Sequence, residues 1–280
     1  MKTIIVPIDF SNYSEYALNV AAILAKKHNA EILAIHMLEL ATVHAYGTET
    51  QADHMEKALF YTKLAEKKFN EFLQRDYLEG VSVTPIIRHF KVFSELGEVA
   101  SDNQADLIVM GSRGASGMKE FFVGSNTEKV VRNSEIPVLV IKDKPVHWDL
   151  KKVVFAIDFS DDYTPSFLNA TKLLDSIATE VQLLYVNLPG DGFKNTDEME
   201  AGVENFLQQA EGNLNRLKDV HYISDKSAEK GILKYAHKVN ADMIAIATHG
   251  RTGLARFFEG SISEDLTNKA DFPILTFRLE

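Results

Sequence analysis

The chain repeats itself, and the length of the repeat restricts its fold more than any other feature. Ile8-Asp9-Phe10-Ser11 returns as Ile157-Asp158-Phe159-Ser160, and Ala105-Asp106-Leu107-Ile108 returns as Ala241-Asp242-Met243-Ile244. Phe121-Phe122-Val123-Gly124-Ser125 returns as Phe257-Phe258-Glu259-Gly260-Ser261, and Ile136-Pro137-Val138-Leu139 as Phe272-Pro273-Ile274-Leu275. The order is the same in both halves. The offset is 149 residues at the first match and 136 at the other three, so the second copy is 13 residues shorter between its first two motifs. Solenoid repeats have periods of about 20–50 residues, so this is duplication of a whole domain. The 280 residues leave room for two domains of ordinary size. The hydrophilic stretch Lys142-Asp143-Lys144-Pro145-Val146-His147-Trp148-Asp149 reads as the linker, dividing the chain into domains 1–144 and 150–280.

Within each copy, short apolar runs alternate with amphipathic ones. Thr3–Ile8 reads as a strand, and Tyr16–His28 has helical spacing with Ala17, Val20, Ala21 and Leu24 on one face. Strands are expected at Ile32–Leu38, Val83–Ile87, Leu107–Met110 and Val138–Ile141. Helices are expected at about Met55–Tyr77, Glu95–Asn103 and Thr127–Asn133. The second copy runs in the same order, from Val153–Ile157 to Ile274–Phe277. Strands apolar on both faces, separated by helices, imply an α/β fold whose parallel sheet is covered by helices on both faces.

Composition narrows the chemistry. No cysteine is present, which excludes disulfides, thiolate metal sites and cysteine nucleophiles. The formal charge is −10 with no basic block, which argues against a nucleic-acid partner. No apolar run approaches the roughly 18–20 residues of a membrane helix, and the N-terminus runs straight into a strand, so a cytoplasmic protein without a membrane partner is expected. The nine histidines lack metal-binding spacing, and no metal site is expected.

The chemistry concentrates after the fourth strand. Gly111-Ser112-Arg113-Gly114 is followed by nine residues and then Gly124-Ser125 at the start of a helix. Glycines let backbone approach a ligand closely, and a helix N-terminus offers unpaired N–H groups to an anion. Arg113 adds a cation. By itself a Gly-Ser pair before a helix is a capping device, and Ser125 with Glu128, like Ser261 with Glu264, fits a capping box. The loop is neither G-x-x-x-x-G-K-[ST] nor G-x-G-x-x-G.

The spacing G-2x-G-9x-G-[S/T], with an Asp ending the first strand, resembles the ATP-binding branch of the universal stress protein family. The resemblance covers both halves. The fifth strands, Val138–Ile141 and Ile274–Phe277, have the apolar character of strands that pair edge to edge in dimers of that family, so the resemblance implies that the two copies pair this way as an internal pseudo-dimer, with Trp148 in the linker reporting on their packing. It implies two tandem Rossmann-like domains, each a five-stranded parallel sheet in the order 3-2-1-4-5. Ligands in such sheets bind where the strand order reverses, between strands 1 and 4. It further implies a stress-response or signalling role, carried by binding of ATP or a related nucleotide (ADP or AMP), with Mg accompanying the nucleotide. By position, Asp9 meets the ribose or adenine, with Pro7 and Ile8 in the same lip. Met37 touches the base, and Met110 and Gly111 border the ribose. Arg113, Gly114, Gly124, Ser125, Asn126 and Thr127 hold the phosphates.

The second copy keeps Asp158, Val186, Gly250, Gly260 and Ser261, but Ala247 stands at the position of Gly111 and His249 at that of Arg113. If that glycine needs a left-handed φ, alanine costs about 1–2 kcal/mol. A weaker or empty second site is expected. Enzymatic turnover is not, since Asp9 lies at the wrong end of the nucleotide to act as a base at the phosphates. A nucleotide-free scaffold for partner proteins is the other alternative, and a further homodimer of whole chains is left open.

Overall fold

A computed structural model describes residues 1–38, 51–89, 96–112, 125–144, 148–160, 164–190, 192–249 and 270–279. The first half runs β1 (Thr3–Pro7), α1 (Asn12–His28), β2 (Glu31–Leu38), α2 (Gln51–Phe72), β3 (Val83–His89), α3 (Leu96–Asp102), β4 (Leu107–Gly111), α4 (Ser125–Asn133) and β5 (Val138–Ile141). The second runs β6 (Lys152–Ala156), α5 (Thr164–Ile177), β7 (Glu180–Asn187), α6 (Thr196–Glu211), β8 (Val220–Ser224), α7 (Ala228–Val239), β9 (Met243–His249) and β10 (Ile274–Leu279).

Local chemistry sets the ends of α1. Ser11 caps it, its hydroxyl accepting from the Ser14 N–H at 3.2 Å, and Asn29 closes it in the left-handed conformation at φ 52°. Glu15 in the first turn and Lys26, Lys27 and His28 in the last oppose the helix dipole.

The strands form one ten-stranded sheet in the order β3-β2-β1-β4-β5-β10-β9-β6-β7-β8. Neighbours are parallel except at the centre, where β5 and β10 run antiparallel. There Leu139 pairs with Leu275, Val138 with Thr276 and Val140 with Ile274. With the repeat offset of 136, Leu139 and Leu275 are each other's equivalents. The seam therefore has the self-complementary register of a two-fold dimer interface inside one chain.

Side chains of opposite strand parity go to opposite faces. Ile4, Val6, Leu107, Val109, Leu139 and Ile141 join Leu275, Phe277, Phe155 and the inner faces of α1, α2, α5 and α6 in one core that crosses the seam. The other face carries two separate cores. One lies under α3 and α4, around Ile5, Ile108 and Met110, and the other under α7, around Val154, Ile244 and Ile274.

Polar contacts reinforce the seam. Arg278 reaches Glu135 at 3.9 Å, and Lys142 donates to the Ala270 carbonyl. On the shared face, Lys27 Nζ donates to the Ile177 carbonyl at 3.2 Å. In the stretch expected to be the linker, Lys142 is anchored to the Ala270 carbonyl, and Trp148 packs against the shared core.

Candidate functional site

The strand order reverses at β1, which has β2 on one side and β4 on the other. The helices following these two strands lie on opposite faces: α1 on the shared core, α4 on the other. The C-terminal ends of β1 and β4 therefore open between them, where a ligand site forms in a sheet of this type.

Asp9 stands just past β1. Its Oδ1 accepts from the Ser11 N–H at 3.0 Å and from the Ser11 hydroxyl at 2.6 Å. The carboxylate thus braces the residue that caps α1 without being the cap itself. The second half repeats this: Asp158 Oδ1 accepts from the Ser160 N–H at 3.2 Å and from its hydroxyl at 2.8 Å. Between Asp and Ser lies a phenylalanine with left-handed backbone, Phe10 at φ 63° and Phe159 at φ 54°. A bulky residue in that region is strained by about 1–3 kcal/mol and persists only when its surroundings hold it. Phe10 is held by the rings of His36 (4.5 Å), Phe69 (5.3 Å) and Phe72 (5.6 Å), and Phe159 by Phe206 (5.4 Å) and Tyr185 (6.1 Å).

His36 ties this corner together. Its Nδ1 lies 2.7 Å from the Ile8 carbonyl, the geometry of an Nδ1–H donor. Burial pushes its pKa below 6.5, against the upward pull of the Ile8 carbonyl and Asp9 and with a smaller downward push from Lys68. Tyr185 holds the equivalent place in the second half; burial, and then the Asp158 charge, push its phenol up.

On the other lip, Gly111 ends β4 as a regular strand residue paired with Ile141. Among the described residues the glycines with positive φ are Gly80, Gly190 and Gly212, so the left-handed backbone considered for Gly111 is not what requires glycine there. A Cβ at Gly111 would sit 2.7 Å from Tyr13 Cβ and 2.8 Å from the Tyr13 backbone carbon and oxygen. Close approach of α1 is the reason. Ala247 at the matching place lies within β9, paired with Phe277.

Thr127 departs from its expected role. It is 3% exposed, and its hydroxyl donates to the Gly111 carbonyl at 2.9 Å. That proton is committed to the protein, so the side chain docks the first turn of α4 onto the end of β4 instead of presenting a donor to a phosphate. The helix begins at Ser125, which puts this serine inside the first turn; Asn126 is half-buried in the same turn. Glu128, the expected partner in a capping box, binds Arg132 at 2.8 Å.

Several expected ligand contacts are core side chains. Met110 is 3% exposed and faces α3 and α4, so only its backbone borders the crevice. Pro7 and Ile8 are buried, and Ile8 joins the shared core. Val186 is buried in the core under α7, where its Cγ1 crowds Gly231. Met37 is half-buried at the end of β2 and packed on the core under α3 and α4. Arg113, Gly114, Gly124, Gly250, Gly260 and Ser261 lie outside the described residues, as do the side chains of Ser125 and His249.

At the end of β7, the buried Asn187 donates to the Lys194 carbonyl at 2.8 Å and accepts from the Lys194 N–H at 3.2 Å. This folds the 188–195 connection back over the strand end. Lys194 Nζ then lies 5.9 Å from the centre of the Tyr185 ring. Sequence reasoning missed Asn187, His36 and Tyr13. For His36 and Tyr185, the repeat offset of 149 was the available signal.

Among the described residues no group of three or more histidine, aspartate or glutamate side chains is placed to hold a metal ion, and no helix is long and apolar enough to cross a membrane.

Comparison with known proteins places this geometry. A model described as "Universal stress protein family" matches residues 1–142 and again 149–278. A universal stress protein of Methanocaldococcus jannaschii is 31% identical over 149 residues, covering 50% of this chain and 82% of that protein. A putative universal stress protein of Staphylococcus saprophyticus is 28% identical over 170 residues, covering 58% of this chain and 96% of that one. These relatives each match roughly half of the chain. The crystal structure of a universal stress protein from Archaeoglobus fulgidus superposes with a TM-score of 0.70 at 24% identity, covering 99% of this chain and 98% of that one, a likeness of fold along the whole length.

Proposed function

The chain belongs to the universal stress protein family in both of its halves, and from that premise we propose that the first half binds an adenine nucleotide where β1 and β4 end. The observation that carries this reading is the Thr127–Gly111 hydrogen bond at 2.9 Å. It fixes the N-terminal turn of a nine-residue helix at the strand end beside the Asp9 turn. Unpaired N–H groups and the positive end of the helix dipole favour a phosphate there. A carboxylate repels phosphate and accepts from hydroxyls, so Asp9 suits the ribose or adenine end.

The donor set fits a nucleotide. Backbone at Gly111 and Met110 would border the ribose, and Met37 would meet the base. Arg113, Gly114, Gly124, Ser125 and Asn126 would receive the phosphates, with Thr127 holding their helix in place. Mg would accompany a triphosphate. The role is binding in a stress-response or signalling protein, not turnover, since Asp9 belongs to the end away from the phosphates.

Mass spectrometry of small molecules released from protein purified without added nucleotide tests this. An adenine nucleotide is expected from the wild type and not from Gly124→Val. Release of none, together with no calorimetric response to ATP, ADP or AMP, would refute the reading.

A further inference from the structure

Among the described residues six large apolar side chains are exposed, and four of them fall within two turns of α2: Leu59 (57%), Phe60 (63%), Tyr61 (47%) and Leu64 (41%). Singly scattered apolar residues need no explanation, but a contiguous cluster marks an interaction site. The inward face of α2 is already satisfied, with Ala65, Phe69 and Phe72 buried against the shared core. Leu59, Phe60 and Leu64 lie more than about a quarter turn from that face, so they are not surplus core, while Tyr61 borders it.

The second half shows that the fold does not need it. Helix α6 occupies the same place after β7 and packs Val203, Phe206, Leu207 and Ala210 inward. Its outward positions are Asp197, Glu198, Glu200, Glu204 and Asn205, all exposed and polar. The same architectural position is thus solvated in one half and apolar in the other. Helix α2 is also longer, 22 residues against 16.

The charges around the cluster indicate what covers it. Glu56, Leu59, Phe60, Lys63, Leu64 and Lys67 are all exposed, and each lies three or four residues from another member of the set, so they form one outward stripe. The acid is at the N-terminal end and the bases at the C-terminal end, about 16 Å apart along the axis. Laid antiparallel on a copy of itself, the stripe sets Glu56 opposite Lys67, Leu59 opposite Leu64 and the Phe60 ring opposite the Lys63 ammonium, each twice. Apolar and cation–ring pairs inside, with opposite charges at both ends, are the pattern of a two-fold helix-pair interface. We propose that α2 is a self-association surface, through which two chains pair antiparallel by the stripe from Glu56 to Lys67. This surface is separate from the internal β5–β10 seam and does not depend on nucleotide binding.

Sedimentation equilibrium of the full chain across a concentration series tests it. The wild type is expected to shift from one chain's mass to two. Phe60→Lys, which replaces the central aromatic and sets a lysine against Lys63 of the other copy twice, should raise the dissociation constant by roughly tenfold or more. Because these side chains are solvent-exposed, the variants should unfold at the wild-type temperature, which circular dichroism checks. Glu56→Lys and Lys67→Glu should each weaken association, the double variant should restore it, and an equimolar mixture of the two single variants should pair. A wild type that stays at one chain's mass at every concentration would overturn the proposal. So would a dimer indifferent to Phe60→Lys, or a double swap that fails to restore pairing; a wild type that never pairs would leave the surface to a different protein.

Discussion

The two halves reach the same left-handed phenylalanine by different packing. Phe10 rests on a histidine and two phenylalanines, while Phe159 rests on a tyrosine and one phenylalanine. The Asp–Ser hydrogen bonds around it are the same in both. The backbone of this turn is retained and its support is interchangeable. The turn is therefore a structural unit that sets a carboxylate just past the first strand of each half. The halves diverge in what surrounds it: Gly111 against Ala247, and the Asn187 bonds that fold the 188–195 connection over the end of β7. The comparison separates what builds the crevice from what equips it.

The seam should give the largest effect, and it tests the symmetry underlying the comparison. Leu139 and Leu275 are fully buried and face each other. Leu139→Ala and Leu275→Ala should each cost about 2–5 kcal/mol in denaturant unfolding. The two losses should be similar, and the double variant should lose less than both together, because the residues share one contact. Unequal losses would break the pseudo-two-fold reading.

Next comes the glycine. Gly111→Ala drives a methyl to 2.8 Å from the Tyr13 backbone, and overpacking of this kind costs about 1–3 kcal/mol. Ala247→Gly in the second half should change stability by less than about 1 kcal/mol, the backbone-entropy term alone. Equal effects would mean that Tyr13 is not what demands glycine.

A smaller loss, about 1 kcal/mol, is expected from Thr127→Val, which removes the donor to the Gly111 carbonyl at nearly constant shape. The same variant should weaken nucleotide binding by loosening α4 at the strand end. Loss of stability with unchanged affinity would separate the helix position from the ligand.

The smallest effect concerns pH. His36 has a folded pKa held below 6.5, so the unfolded chain takes up its proton first as pH falls. Stability should therefore be full above about pH 6.5, fall as pH drops below it, and level off once folded His36 itself protonates. His28, also lowered by burial, contributes in the same direction. His36→Tyr, the residue found at this place in the second half, should flatten that slope measured by thermal unfolding. An unchanged slope would assign the dependence to other groups.

Much of this architecture was legible in the chain. The repeat gave the duplicated domain, and apolar runs such as Val138–Ile141 located strands to within a residue or two. The seam was readable from the apolar character of the two fifth strands taken together with the family resemblance, although β10 also carries Thr276 and Arg278. The site was less so, for specific reasons. Met110 and Val186 sit in strands buried on both faces, where apolar character does not tell a side chain at the crevice from one in the core. The reason for Gly111 depends on where α1 crosses β4, and a glycine required by crowding looks the same in sequence as one required by φ. The Thr127 hydroxyl bonds a carbonyl 16 residues earlier, a direction no local pattern encodes. No propensity places phenylalanine in the left-handed region, although its recurrence after Asp9 and Asp158 marks the turn as constrained.

The central claim is that one half carries a working nucleotide site and the other only its frame. Calorimetric titration with Mg-ATP on the wild type, Asp9→Ala and Asp158→Ala tests it most directly. One site per chain is predicted for the wild type, abolished or weakened roughly tenfold or more by Asp9→Ala and left intact by Asp158→Ala. Two equal sites, or a site lost with Asp158→Ala and kept with Asp9→Ala, would contradict it.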